Sequence, residues 1–179
     1  MTTEPERATL AGGCFWCTEA AFEAVPGVRS VTSGYAGGDV SDPSYEAVST
    51  GETGHAECVQ VEYDPAEISF VDLLGVFFRV HDPTQLNRQG PDVGTQYRSA
   101  IFAHDEEQRE TANSFIAALE EEGAFEDEIV TAVEELDEFW EAEPAHQDYY
   151  ANNPDDRYCT FYAEPKVKKV KAIFGEETE

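Results

Sequence analysis

A short apolar run, Ala8–Ala11, ends at Gly12-Gly13 and leads into Phe15, Phe22 and Val25 at helical offsets. This junction constrains the chain more than any other feature. The run reads as a strand, the two glycines allow a sharp turn, and Cys14–Val25 reads as a helix stopped by Pro26-Gly27. Val28–Tyr35 then reads as the next strand. A strand, a helix and a strand in so short a space call for a sheet with helices packed on it.

The rest of the chain continues the alternation. Val59, Val61 and Tyr63 share one face of a strand over residues 57–63, with Gln60 and Glu62 on the other, ending at Asp64-Pro65. Ser69–Val80 reads as a helix, with Ser69 and Asp72 as a capping box and Phe70, Leu73, Leu74 and Phe77 as its stripe. Asp82–Gln96 reads as a long irregular loop, and Arg98–Ala103 as a strand. Asp105 caps a further helix with Gln108 three residues on, and Ala112, Phe115, Ile116 and Leu119 line its inner side. Ile129–Val133 is the last strand expected, followed by an aromatic, loop-rich segment. No repeat or linker divides the chain, so one domain over residues 1–179 is expected, its core about 8–165 with a short acidic tail.

Charge narrows the function. Eleven Lys and Arg stand against 38 Asp and Glu, a net charge of −27. Binding to nucleic acid or an anionic membrane depends on cation contacts, so both are excluded as partners. No stretch approaches the roughly 18 apolar residues of a membrane span. The first residues carry no hydrophobic signal region, and a cytoplasmic protein is expected. Sixteen acids lie between Asp105 and Glu143 with only Arg109 among them, and all four lysines fall within Lys166–Lys171. Such a surface suits a salt-rich, halophilic cytoplasm, where the screening length shrinks to roughly 3 Å at 1 M. An ordinary acidic surface is the plainer alternative.

Four cysteines, Cys14, Cys17, Cys58 and Cys159, are too sparse for a disulfide scaffold. In Gly12-Gly13-Cys14-Phe15-Trp16-Cys17, Cys14 falls at a helix N-terminus, where free N–H groups favour a thiolate. Cys17 is three residues on, within disulfide reach. Redox chemistry is the expectation, against simple burial. Glu57 shares parity with Val59 and so falls on the core side, where desolvation raises a carboxyl pKa and makes a general acid. Cys58 points the other way. The loop Pro91–Arg98 is polar and specific-looking. His55, His81, His104 and His146 have no ligand spacing. A zinc site would need Cys58 and Cys159 to join Cys14 and Cys17. No metal is expected.

Several blocks together resemble the peptide methionine sulfoxide reductase A family. They are Gly12–Trp16, Ser33–Gly38, Tyr45-Glu46, Thr53–Glu57, Asp92–Ser99 and His146–Tyr149, in that order. The resemblance implies an α+β two-layer sandwich, a mixed sheet with packed helices on a ferredoxin-like core. It implies reduction of the S epimer of methionine sulfoxide, free or in proteins, with no bound cofactor and with thioredoxin as external reductant. By position, Cys14 matches the nucleophile and Glu57 the acid. Tyr45 and Tyr97 match the groups that hold the sulfoxide oxygen, Phe15 and Trp16 the wall around the methyl group, and Asp92 a residue ordering the substrate side. Cys159 matches a resolving cysteine. Cys17 stands where many members have glycine. Proximity makes Cys14–Cys17 the first disulfide expected, with Cys159 passing it to thioredoxin. A monomer is expected. A plain C-x-x-C thiol–disulfide oxidoreductase is the competing reading.

Overall fold

Residues 5–38, 40–41, 43–89, 92–136, 138–143, 146–147, 149, 153, 156 and 163–178 are described by a computed structural model of the chain. β1 (Glu6–Gly12), α1 (Phe15–Glu23), β2 (Val28–Ala36), α2 (Tyr45–Ser49), β3 (Ala56–Tyr63) and α3 (Phe70–Val80) come first. They are followed by the two-residue strands β4 (Arg88–Gln89) and β5 (Asp92–Val93) and a 3₁₀ turn over Thr95–Tyr97. Then come β6 (Ser99–Ala103), α4 (Glu106–Glu122), β7 (Ala132–Glu135), β8 (Trp140–Glu141) and α5 (Glu164–Thr178).

The main sheet has the order β7-β6-β1-β3-β2-β8. β3 runs antiparallel to both neighbours, so β1 and β2 are parallel with β3 inserted between them. With α1 and α3 as connections, β6-β1-β3-β2 is the split β-α-β of a ferredoxin-like core. Strand parity sorts the two faces. Leu10, Val59, Val61 and Tyr63 join the helix-covered core with Phe15, Phe22, Leu73, Leu74 and Phe77. Ala11, Ala36, Ala56, Cys58, Ala100 and Phe102 form a smaller cluster, with Ala132, Leu136 and Phe139 packed against it. The mixed α+β architecture is the one expected.

The expected helix starts are present where side chains cap the backbone. Ser69 and Asp72 form the capping box, and Asp105 accepts from Gln108 N–H. Several elements differ from expectation: β4 and β5 pair within the stretch expected as an irregular loop, and β8 follows the last strand expected. α1 begins at Phe15, with Cys14 as its N-cap. β7 begins at Ala132 rather than Ile129, because parallel pairing with β6 sets its register and Val130 N–H is already engaged by Pro83 O at 2.8 Å. The segment beyond about residue 165, expected as a short acidic tail, continues the helix α5. Ala163, Val167 and Val170 recur at helical spacing, and α5 packs them inward against α1 and the core. Pro165 is tolerated because it lies in the first turn of α5.

Four ion pairs between described residues, Arg7–Glu62, Arg29–Asp64, Arg109–Glu106 and Lys168–Glu164, each have at least one partner well exposed to solvent. Exposed pairs of this kind contribute little. The acids between Asp105 and Glu143 therefore repel one another, and added salt should stabilise the fold. The melting temperature is expected to rise between low and molar KCl; an unchanged value would show that the repulsion has no bearing on stability.

Candidate active site

The end of β1 must approach α3 closely and then turn. A Cβ on Gly12 would stand 3.0 Å from the Phe77 ring and 3.2 Å from His81. Gly13 has φ +97°, and a Cβ there would stand 2.7 Å from the side chain of Gln89. Glycine at both positions delivers Cys14 to the start of α1. Cys14 O accepts Cys17 N–H at 3.2 Å and Thr18 N–H at 3.3 Å, which places the Cys17 thiol beside that of Cys14. Both thiols are free, hydrogen-bonded to each other, and only 8% and 2% exposed.

Glu57 lies on β3 directly opposite Tyr35 of β2. It is fully buried, and its Oε1 accepts Phe15 N–H at 3.1 Å. Its Oε2 has no hydrogen-bond partner. Burial pushes the Glu57 carboxyl up to about 8 against the pull of the Phe15 amide, so it is protonated at neutral pH. This arrangement corrects the expectation of a resting thiolate at Cys14. The first amide of α1 serves Glu57, and Cys14 makes no side-chain cap. Burial raises the Cys14 thiol well above its ordinary value; the hydrogen bond with Cys17 and the charges of Glu57 and Cys17 add to this, against the Trp16 amide. At rest Cys14 and Glu57 thus each hold a proton.

Aromatic rings line the approach. Tyr45 opens α2, whose N-cap is Ser44, and its ring lies 6.1 Å from Phe15 and 6.2 Å from Trp16. His146 stacks on Tyr45 at 4.2 Å and accepts Trp16 Nε1–H at 3.3 Å. Tyr149 stacks on the other ring partner, Trp16, at 3.8 Å. Tyr97 packs against the cluster of Cys14, Cys17, Ala20 and Ala163. Burial, then the Glu57 charge, raises the Tyr45 phenol to about 12 and moves Tyr97 in the same direction. Both hydroxyls therefore stay protonated donors. The charge of Asp92 on β5 reaches Glu57, Tyr45 and Tyr97.

Cys14, Cys17, Phe15, Trp16, Tyr45, Glu57, Asp92 and Tyr97 thus converge on one place. Cys159 lies outside the described residues. Cys58 sits in the alanine-rich cluster on the reverse face of the sheet, which breaks up the cysteine set that zinc would need. No group of three possible metal ligands occurs among the described residues.

One site residue was not anticipated. Glu143 accepts Tyr35 Oη–H at 3.1 Å with Oε1 and Tyr45 N–H at 3.1 Å with Oε2. It ties the start of α2 to β2 and so fixes where Tyr45 stands. Nothing in the sequence separates it from the other acids around it.

A family model described as Peptide methionine sulfoxide reductase matches residues 6–178. A peptide methionine sulfoxide reductase MsrA from Haloquadratum walsbyi is 58% identical over 172 residues, covering 96% of this chain and 98% of the relative. The structure resembles reduced Mxr1 from Saccharomyces cerevisiae with a TM-score of 0.82 at 36% identity, covering 89% of this chain and 91% of the other. Mxr1 in complex with Trx2 aligns with a TM-score of 0.58 at 26% identity, covering 82% and 85% of the two chains. Among the described residues no helix is long and apolar enough to cross a membrane. With the match running through the glycine turn, the buried acid and the aromatic wall alike, the chain belongs to the peptide methionine sulfoxide reductase family.

Proposed function

We propose that this protein reduces the S epimer of methionine sulfoxide, free or in proteins, acting as a single-domain monomer in a salt-rich cytoplasm. The observation that carries the chemistry is the Glu57 carboxyl, fully buried at the foot of α1 with one oxygen on Phe15 N–H and the other unpartnered. A neutral acid beside a thiol suits a reaction in which oxygen leaves sulfur and needs a proton.

Cys14 Sγ attacks the sulfoxide sulfur while Glu57 protonates its oxygen. The carboxylate left behind takes the Cys14 thiol proton, so the proton count closes within the site. Tyr45 and Tyr97 donate hydrogen bonds to the oxygen, Phe15 and Trp16 flank the methyl group, and Asp92 orders the substrate side. Contacts of sulfur with such rings contribute roughly 0.3–1.5 kcal/mol each. The hydroxyl then passes from the substrate sulfur to Cys14 Sγ as the bond between the two sulfurs breaks, so methionine departs and Cys14 is left as a sulfenic acid. Cys17, on the next turn of α1, condenses with it to a disulfide and water. Cys159 then takes over the disulfide and presents it to thioredoxin by thiol–disulfide exchange. The Mxr1–Trx2 complex and the sequence from Haloquadratum walsbyi support the reductant and the saline setting.

Sulfoxide reduction measured beside insulin reduction tests the function: sulfoxide turnover should far exceed insulin reduction, and the reverse would make this a general dithiol oxidoreductase. Peptide mapping after one equivalent of methionine sulfoxide, without reductant, tests the recycling. A Cys14–Cys17 bond is expected first, and Cys58 should remain a thiol. A Cys14–Cys159 bond formed at the wild-type rate in Cys17→Ser would make Cys17 a bystander.

Glu57 also couples folding to pH. Its folded-state pKa is about 8 against an ordinary 4.5. Its contribution to stability is therefore full below about 4.5 and is lost as pH rises through about 8. Urea unfolding of wild type and Glu57→Gln should show the variant gaining relative stability across that window. Parallel curves would mean that the Glu57 carboxyl has an ordinary pKa.

A further inference from the structure

We propose that Lys166 is a positioning residue for the second half of the reaction, its ammonium stabilising the Cys17 thiolate that attacks the Cys14 sulfenic acid. This rests on the recycling through Cys17 described above. The need is electrostatic. A thiolate is the attacking species in disulfide chemistry, yet Cys17 is almost fully buried and the first amide of α1 is occupied by Glu57. Glu57 of β3 and Asp92 of β5 are the acidic groups near the pair, and neither supplies a positive charge. On α1 itself the buried Glu19 is two residues from Cys17.

α5 brings a cation to the pair. Ala163 and Val167 pack against the Cys14, Cys17 and Ala20 cluster, and Lys166 lies between them in sequence. Its side chain lines a cavity of about 630 Å³ together with His81, Asp82 and Gln89. Gln89 in turn is packed against Gly13, immediately before Cys14. Lys166 takes part in none of the four ion pairs named above. Burial lowers its pKa and Lys169 adds to that, while the charges of Cys17, Cys14 and Asp92 favour its protonated form. Lys169 itself is engaged with Arg79 O at 3.0 Å.

In the step, the Cys17 thiolate forms the S–S bond as the S–O bond of the sulfenic acid breaks. The departing hydroxide takes up the proton released by the Cys17 thiol and leaves as water. Cys17 sulfur is oxidised and Cys14 sulfur is reduced to the disulfide level.

The test separates the two half-reactions in stopped flow with one equivalent of methionine sulfoxide and no reductant. In Lys166→Met, methionine should form at the wild-type rate and amplitude, which also reports an intact fold. Disulfide formation should slow about tenfold or more, with its pH midpoint raised, since a nearby opposite charge moves a pKa by roughly 1–3 units. Dimedone should trap the accumulating sulfenic acid, and Lys166→Arg should restore both rate and midpoint. Disulfide formation in Lys166→Met at the wild-type rate and midpoint would overturn the proposal. So would a slower rate with an unmoved midpoint, which marks packing alone. A first disulfide mapped to Cys14–Cys159 in wild type would instead overturn the recycling route itself.

Discussion

Cys14→Ser is expected to abolish sulfoxide reduction, to below roughly a hundredth of wild type, because a neutral hydroxyl cannot replace sulfur as the attacking atom. The fold should survive. The change exchanges one small side chain at an N-cap position where serine is well tolerated. The amide nearest the site is already satisfied by Glu57, so α1 does not depend on the thiol. Residual turnover above that level, with an unchanged melting temperature, would move the nucleophile elsewhere.

Glu57→Gln is expected to slow methionine formation by on the order of 10²–10⁴, the usual contribution of a positioned general acid. The amide oxygen can still accept Phe15 N–H, so the start of α1 should hold. What is lost is the proton. In wild type the single-turnover rate should also fall as pH rises through about 8, where the carboxyl ionises, and this limb should vanish in the variant. A near-normal rate in Glu57→Gln at neutral pH would make the residue structural.

How far the sequence could be read depended on the range of the interaction. Parity along β3 sufficed to place Glu57 with the core and Cys58 on the reverse face, since alternation is a property of neighbours in sequence. Capping at Ser69 and Asp105 was legible for the same reason. The protonation of Cys14 was not. A helix start alone favours a thiolate, and what reverses that is tertiary: burial of the thiol first, then its hydrogen bond with Cys17 and the placement of Glu57. The register of β7 depends on a partner strand some thirty residues away, as do most parallel pairings. α5 did leave a signal, Ala163, Val167 and Val170, but lysines and a proline between them obscured it. Glu143 left none, because its two hydrogen bonds reach Tyr35 and Tyr45 across about a hundred residues.

Single-turnover reduction of the separate S and R epimers of methionine sulfoxide, followed by turnover with dithiothreitol, tests the central claim most directly. In Cys159→Ser, where the first disulfide cannot be passed on, one methionine per enzyme from the S epimer, with loss of the Cys14 and Cys17 thiols and no reaction of the R epimer, is the expected result. Equal reduction of both epimers, or methionine formed while Cys14 remains a free thiol, would contradict it.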